Sequence, residues 1–199
     1  ANNKFVAVGA DGTVITSSDG YNWTKTAALS PGQTLKNIVY GYRDNDYFMT
    51  QGYFMTISKN GDTYKSHDGV TWEKENMKFA SNISSVIYAN ELFIAVGTNG
   101  RIMTSPIGFG EWLSWLDRYS QTTENLYSIT YGGGRYVSVG ANGTIMISDD
   151  LSRWTIVDSG TKSDLSAAAY GRGKFIVVGL DGTILTSSDG RTWSPAAKK

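Results

Sequence analysis

The chain has 199 residues, 40% hydrophobic and 18% charged, with 18 basic and 18 acidic side chains and a formal net charge of zero. Its mean hydropathy of −0.27 and short apolar runs, such as FIVVGL at 175–180, exclude a bilayer-spanning helix and an acidic or disordered chain. The charge balance excludes the basic excess of a nucleic-acid binder, and the absence of cysteine excludes disulfides and thiolate metal sites. ANNKFVAVG at the start lacks the basic and long apolar regions of a signal peptide, so none is expected in this chain.

Twenty-three glycines, 13% aromatic residues and only three prolines suggest short strands joined by tight turns. In chain order, the first unit (about 1–30) carries KFVAVGADGTVITSSDGYNW at 4–23. The second (31–78) opens with LKNIVYG at 35–41 and continues YFMTQGYFMTISKNGDTYKSHDGVTW at 47–72. The third (79–121) reads ISSVIYA at 83–89, then LFIAVGTNGRIMTS at 92–105. The fourth (122–160) reads LYSITYG at 126–132, then RYVSVGANGTIMISDDLSRW at 135–154. The fifth (161–199) reads LSAAAYG at 165–171, then KFIVVGLDGTILTSSDGRTW at 174–193. Tryptophans 23, 72, 112, 154 and 193 set a period of about 40 residues.

Each unit parses into strands at its turns. Asp11-Gly12, Asn60-Gly61, Asn99-Gly100, Asn142-Gly143 and Asp181-Gly182 are hairpin pairs, whose tight turns call for positive φ. Asp19-Gly20, Asp68-Gly69 and Asp189-Gly190 give a second turn, and the polar, Gly-rich stretch after each LxxIxYG block a third. Three turns make four antiparallel strands per unit. The second strand (FVAVG, FIAVG, FIVVG) is apolar on both faces, as a strand between stacked sheets should be. The expected fold is therefore all-β, a five-bladed β-propeller of four-stranded blades forming a single domain. LxxIxYG occurs four times and the hairpin block five times, so the first blade should lack its inner strand. That leaves an oligomer or a strand exchange as an expectation.

The phrases SSDGxxW at 17–23 and 187–193, and SHDGxxW at 66–72, resemble the Asp-box, or BNR, repeat. In this sequence Gly follows Asp directly, Leu151 stands where Gly is expected, and the third unit reads SPIGFGEW at 105–112 without an Asp. The resemblance implies a turn between a blade's third and fourth strands, with structural roles for Ser17, Asp19, Trp23, Ser66, Asp68, Trp72, Ser148, Asp150, Trp154, Ser187, Asp189 and Trp193. Physically, Asp and Ser accept N–H groups across the tight turn while Trp offers an apolar face to the next sheet.

Asp-box propellers include sialidases, which use an arginine cluster, a Tyr–Glu pair and an acid/base Asp. Here Arg43, Arg101, Arg118, Arg135, Arg153, Arg172 and Arg191 are scattered along the sequence. Glu73, Glu75, Glu111 and Asp117 are carboxylates outside the repeat, but sequence does not bring two together as a glycosidase requires. The single histidine, His67, stands at a variable turn position. One His without Cys excludes zinc, and Asp44-Asn45-Asp46 lacks the rest of a calcium loop. No catalytic residue, cofactor or metal is expected.

Function is expected where the repeat is broken. The second unit has six extra residues between Gly52 and Gly61, within YFMTQGYFMTIS, which expose Tyr53 and Phe54 or lengthen a hairpin. The third has PIGFGEWLSWLDRYS at 106–120, with Phe109, Trp115, Arg118 and Tyr119. Aromatics beside a hydrogen-bonding Arg suit a sugar or protein surface. The leading reading is a non-catalytic, extracellular or cell-surface binding or scaffolding propeller for a glycan or surface protein. Five-bladed lectin propellers share that architecture. The alternatives are a glycosidase-like enzyme domain and a structural, assembly or engineered repeat propeller.

Overall fold

The computed structural model describes residues 4–26, 29, 31–42, 52–78, 83–106 and 115–196. Among the described residues, nineteen strands form five antiparallel sheets in chain order. The first is three-stranded: β1 (Phe5–Val8), β2 (Val14–Ser17) and β3 (Thr24–Lys25). The second runs β4 (Leu35–Gly41), β5 (Tyr53–Ser58), β6 (Asp62–Ser66), β7 (Glu73–Lys78). The third runs β8 (Ile83–Ala89), β9 (Leu92–Gly97), β10 (Ile102–Pro106), β11 (Leu116–Arg118). The fourth runs β12 (Leu126–Gly132), β13 (Arg135–Gly140), β14 (Ile145–Ser148), β15 (Thr155–Val157). The fifth runs β16 (Leu165–Gly171), β17 (Lys174–Gly179), β18 (Ile184–Ser187), β19 (Ser194–Pro195). The LxxIxYG blocks are β4, β8, β12 and β16, and the first sheet lacks that strand, as the motif count predicts.

The turn reading is correct where it depends on backbone handedness. Asp11, Asn99, Asn142 and Asp181 have φ of 52–55° and are each followed by a glycine at positive φ, the region where glycine carries no steric cost. Each pair belongs to a three-residue turn closed by two backbone hydrogen bonds, such as Gly9 N–H to Thr13 O and Thr13 N–H to Ala10 O. At Asn60-Gly61 only the glycine is left-handed, because that turn is closed by Gly61 N–H to Ser58 O instead. The expected extra residues between Gly52 and Gly61 are not an insertion there: β5 occupies Tyr53–Ser58 and only residues 59–61 separate it from β6, so the β5–β6 hairpin is not lengthened.

Two compact units divide the chain: residues 1–93 with 105–114, and residues 94–104 with 115–199. In the first unit, Val6, Val8 and Val14 of the first sheet pack on Leu35, Tyr64 and Trp72 of the second. In the second unit, Val137, Val139, Ile145 and Ile147 of the fourth sheet pack on Leu165, Phe175, Val177, Leu185 and Trp193 of the fifth. The positions correspond: a Val-x-Val strand plus the start of the next strand form one face, which docks on the following sheet. Fully burying such a side chain is worth roughly 1.5–3 kcal/mol, so this repeated contact supplies most of the cohesion.

Close approach explains the glycines of this contact. A Cβ on Gly132, at the end of β12, would lie 2.0 Å from the ring of Tyr170 in the next sheet. One on Gly41 would lie 2.8 Å from the equivalent Tyr88. The Tyr-Gly ending of LxxIxYG is thus a two-part device where both parts are present: Tyr88 lies on Gly41 and Tyr170 on Gly132.

Candidate functional site

The repeated phrase builds the same clasp four times. In the last copy the Ser187 hydroxyl accepts Gly190 N–H at 2.8 Å and donates to Asp189 Oδ1 at 2.9 Å. Asp189 Oδ1 also accepts the N–H groups of Arg191 and Thr192 at 2.8 and 2.9 Å. Ser17–Asp19 and Ser66–Asp68 repeat the pattern. Ser148–Asp150 repeats it despite Leu151, which adopts φ 65° in the glycine position and buries its side chain. The substitution of Leu for Gly therefore leaves the clasp intact. Ser17, Ser66, Ser148 and Ser187 are all buried.

Sequence reading missed one part of this clasp. Trp23, Trp72 and Trp193 each donate their indole N–H to the carbonyl of the glycine three residues back, at 3.1, 3.2 and 3.0 Å. Trp154 departs from the pattern. It is only 1% exposed, and its Nε1 has no hydrogen-bond partner among the described residues.

The clasp hydrogen bonds stabilise the ionised carboxylates. The Asn22 N–H and amide, with Tyr21 N–H, hold Asp19 well below the usual carboxylate range. Burial works the other way at Asp68, yet the N–H groups of Val70 and Thr71 bring it down to about 2. The Ser152 hydroxyl and N–H bring Asp150 to about 2, as the N–H groups of Thr192 and Arg191 do for Asp189. These carboxylates are acceptors saturated by their own turns, poorly suited to exchanging a proton at neutral pH.

A second layer stitches the clasp to the preceding sheet. Lys4 Nζ donates to Asp68 O at 2.9 Å, and at the equivalent position an Arg135 Nη donates to Asp189 O. Arg135 also pairs with Asp149 at 2.7 Å, and Arg191 reaches the other Asp149 oxygen at 3.3 Å. The Arg135 guanidinium, assisted by Arg191 and opposed by burial, lowers the Asp149 carboxyl from its ordinary range. Asp149, Asp150, Arg153 and Arg191 line a cleft of about 220 Å³ together with Thr155. Three of the arginines that are scattered in sequence therefore converge. They share no offset from the repeat phrase: Arg135 opens a strand, Arg153 is the third residue after Asp150 and Arg191 the second after Asp189.

The residues expected to bind a ligand separate into two groups. Tyr53 and Phe54 are 7% and 5% exposed. They are strand residues, not a surface: Phe54 stacks edge-on against Tyr40 at 4.8 Å, and Tyr53 lies 5.5 Å from Phe93. Burial pushes the Tyr53 phenol upward. His67 is exposed with Nδ1 3.2 Å from Gly52 O.

In the third repeat, Tyr119 is 80% and Leu116 55% exposed, at the edge strand β11. Arg118 donates to Thr104 Oγ1 at 2.9 Å and so ties the edge strand, next to Tyr119, to β10; Trp115 is half-buried. Phe109, Glu111, Trp112 and Asp44-Asn45-Asp46 lie outside the described residues.

Of the carboxylates outside the repeat, Glu73, Glu75 and Asp117 are ion-paired. Lys65 lies 2.9 Å from Glu75 and 3.7 Å from Glu73, and Asp117 pairs with Arg101 at 3.1 Å. Among the described residues no group of three or more His, Asp or Glu could hold a metal ion.

No protein-family model and no curated protein matches the chain. Solved structures do. YCF48 bound to D1 peptide is 13% identical over 95% of this chain and 62% of its own, with a TM-score of 0.67. Virginiamycin B lyase from Staphylococcus aureus is 11% identical over 98% and 70%, with a TM-score of 0.74. The computationally designed Ika8 protein is 15% identical over 96% and 57%, with a TM-score of 0.66. The chain thus spans about three-fifths of the length of YCF48. At such identities the likeness shows the fold alone: this is a β-propeller built of antiparallel blades, the first with three strands.

Proposed function

We propose that the chain is a non-catalytic binding or scaffolding propeller, with clasps of the Asp-box type and a surface protein segment or glycan as its ligand. The observation that carries this reading is the edge of the third sheet. There Leu116 on β11 and Tyr119, one residue past its end, stand exposed, and the strand is braced by the Arg118–Thr104 and Arg101–Asp117 contacts. An exposed aromatic next to a braced strand is the kind of anchor that dominates binding energy. A role on the outside of the cell goes with such a ligand. The reading also draws on the ion-paired state of Glu73, Glu75 and Asp117, since a hydrolase needs carboxylates free to move protons. YCF48, of the same fold, has been solved with a peptide.

The test is retention on glycan and peptide arrays, comparing the wild type with Tyr119→Ala, alongside a panel of chromogenic glycosides. We expect retention by the wild type on one array, a loss of about tenfold or more in Tyr119→Ala, and no glycoside turnover. Turnover of any glycoside, no retention, or retention undiminished by the substitution would each reject it.

A further inference from the structure

The second and fourth sheets carry the same cleft beside their clasps and fill it with different charges. In the second sheet it measures about 130 Å³, and Lys65, Thr71 and Glu73 line it with the Ser66–Asp68 clasp. In the fourth it measures about 220 Å³, and Ile147, Arg153 and Thr155 stand at the same positions beside the Ser148–Asp150 clasp. Arg191 joins them from the fifth sheet. The strand register confirms the match, since Lys65↔Glu73 corresponds to Ile147↔Thr155.

In the second sheet the chain supplies the acids for its own cation: Lys65 lies 2.9 Å from Glu75 and 3.7 Å from Glu73. In the fourth sheet Thr155 and Val157 replace both glutamates, while the cations are arginines. Arg153 hydrogen-bonds Asp150 through its backbone N–H, and among the described residues nothing engages its guanidinium. The Arg191 side chain, 58% exposed, reaches only Asp149, at 3.3 Å. The acids of the cleft are already taken. Asp149 accepts Arg135 and Arg191, and Asp150 accepts Ser148, Ser152 and the Arg153 N–H of its own turn. Three guanidinium groups (Arg135, Arg153, Arg191) thus meet two carboxylates (Asp149, Asp150), an excess of one positive charge.

A guanidinium fork matches the two oxygens of a carboxylate, so one further carboxylate is what the cleft lacks. Its volume is below the roughly 300–1,000 Å³ of pockets for drug-sized molecules, and no aromatic ring lines it to face a sugar. A single acidic side chain suits it. β15 offers the means of delivery, because it ends the fourth sheet and its Ile156 is 53% exposed. A segment pairing with that edge would set the residue opposite Thr155 on the same face as Thr155, beside the cleft.

We propose that the cleft of the fourth sheet takes the carboxylate of an Asp or Glu side chain from a peptide extended along β15, with Arg153 and Arg191 as its partners. The ligand supplies from outside what Glu73 and Glu75 supply within the second sheet. This site shares no residue with the edge around Tyr119 and does not depend on it.

The probe is a dye-labelled, end-capped Thr-Val-Glu-Val-Thr peptide, whose β-branched residues favour the extended state. Fluorescence polarisation follows its binding to the full chain, beside its Gln counterpart and a labelled oligogalacturonate. The Glu peptide should bind with a Kd below about 1 mM. Binding should weaken about tenfold or more for the Gln peptide and for Arg153→Ala. Thr155→Glu, which restores the acid of the second sheet, should abolish it. Both variants should melt with wild type, and if either does not, the Gln peptide still decides on the unaltered chain. The proposal is overturned by a Glu peptide that does not bind at about 1 mM, or by a Gln peptide that binds equally. Undiminished binding to either folded variant, or an oligogalacturonate that binds more tightly than the Glu peptide, would overturn it too.

Discussion

Gly143→Ala should cost at least about 3 kcal/mol of stability, while Gly182→Ala costs roughly 1. Both glycines have φ of 69° in turns of the same sequence pattern, so the conformational penalty of a side chain at positive φ is common to both. The difference lies in what surrounds them. An added methyl at Gly143 would fall 2.0 Å from Thr161 O, and at Gly182 it meets nothing within 4 Å. The backbone carbonyl of a neighbouring repeat has nowhere to move without opening the sheet contact. Urea unfolding would show the two midpoints. Equal losses would mean that the contact between the fourth and fifth sheets contributes little.

Phe175→Ala should cost about 3–5 kcal/mol, against less than about 1 for Phe5→Ala. Phe175 is 1% exposed and lies against Tyr170 at 4.7 Å and Trp193 at 6.3 Å, within the cluster shared with Val137 and Ile145. Phe5 occupies the same register, Phe5↔Ser17 matching Phe175↔Ser187, but is 54% exposed. For a chain of this length each kcal/mol shifts the thermal midpoint by roughly 2–4 °C, so the two variants should be readily separated by melting.

These pairs show what the sequence could and could not reveal. Turn handedness is a local property, and Asp-Gly and Asn-Gly pairs announced it at Asp11, Asn99, Asn142 and Asp181. The inner strands were legible because LxxIxYG recurs, and its absence before Lys4 correctly gave a three-stranded first sheet. Tyr53 and Phe54 were misread because an apolar run after an irregular segment looks alike whether it is a strand or an exposed loop. Pairing with β4 decides the matter. The convergence of Arg135, Arg191 and Asp149 was hidden since it joins two repeats that sequence separates by about one period. The different burial of Val137, 0% exposed, and Ile176, 45% exposed, was hidden because RYVSVG and KFIVVG specify the same faces.

The central claim is that the repeated Ser-x-Asp phrase is a structural clasp, and Asp189→Ala tests it most directly when melted as a function of pH. The folded carboxylate is held at about 2, below its ordinary 3.8. Its stabilisation is therefore fully present above the unfolded value and is lost as pH falls through the folded one. The account predicts a variant that melts below wild type at neutral pH, with the gap constant down to about pH 5 and closing between about pH 4 and 2. A variant that melts with wild type at pH 7, or a gap that persists unchanged at pH 2, would contradict it.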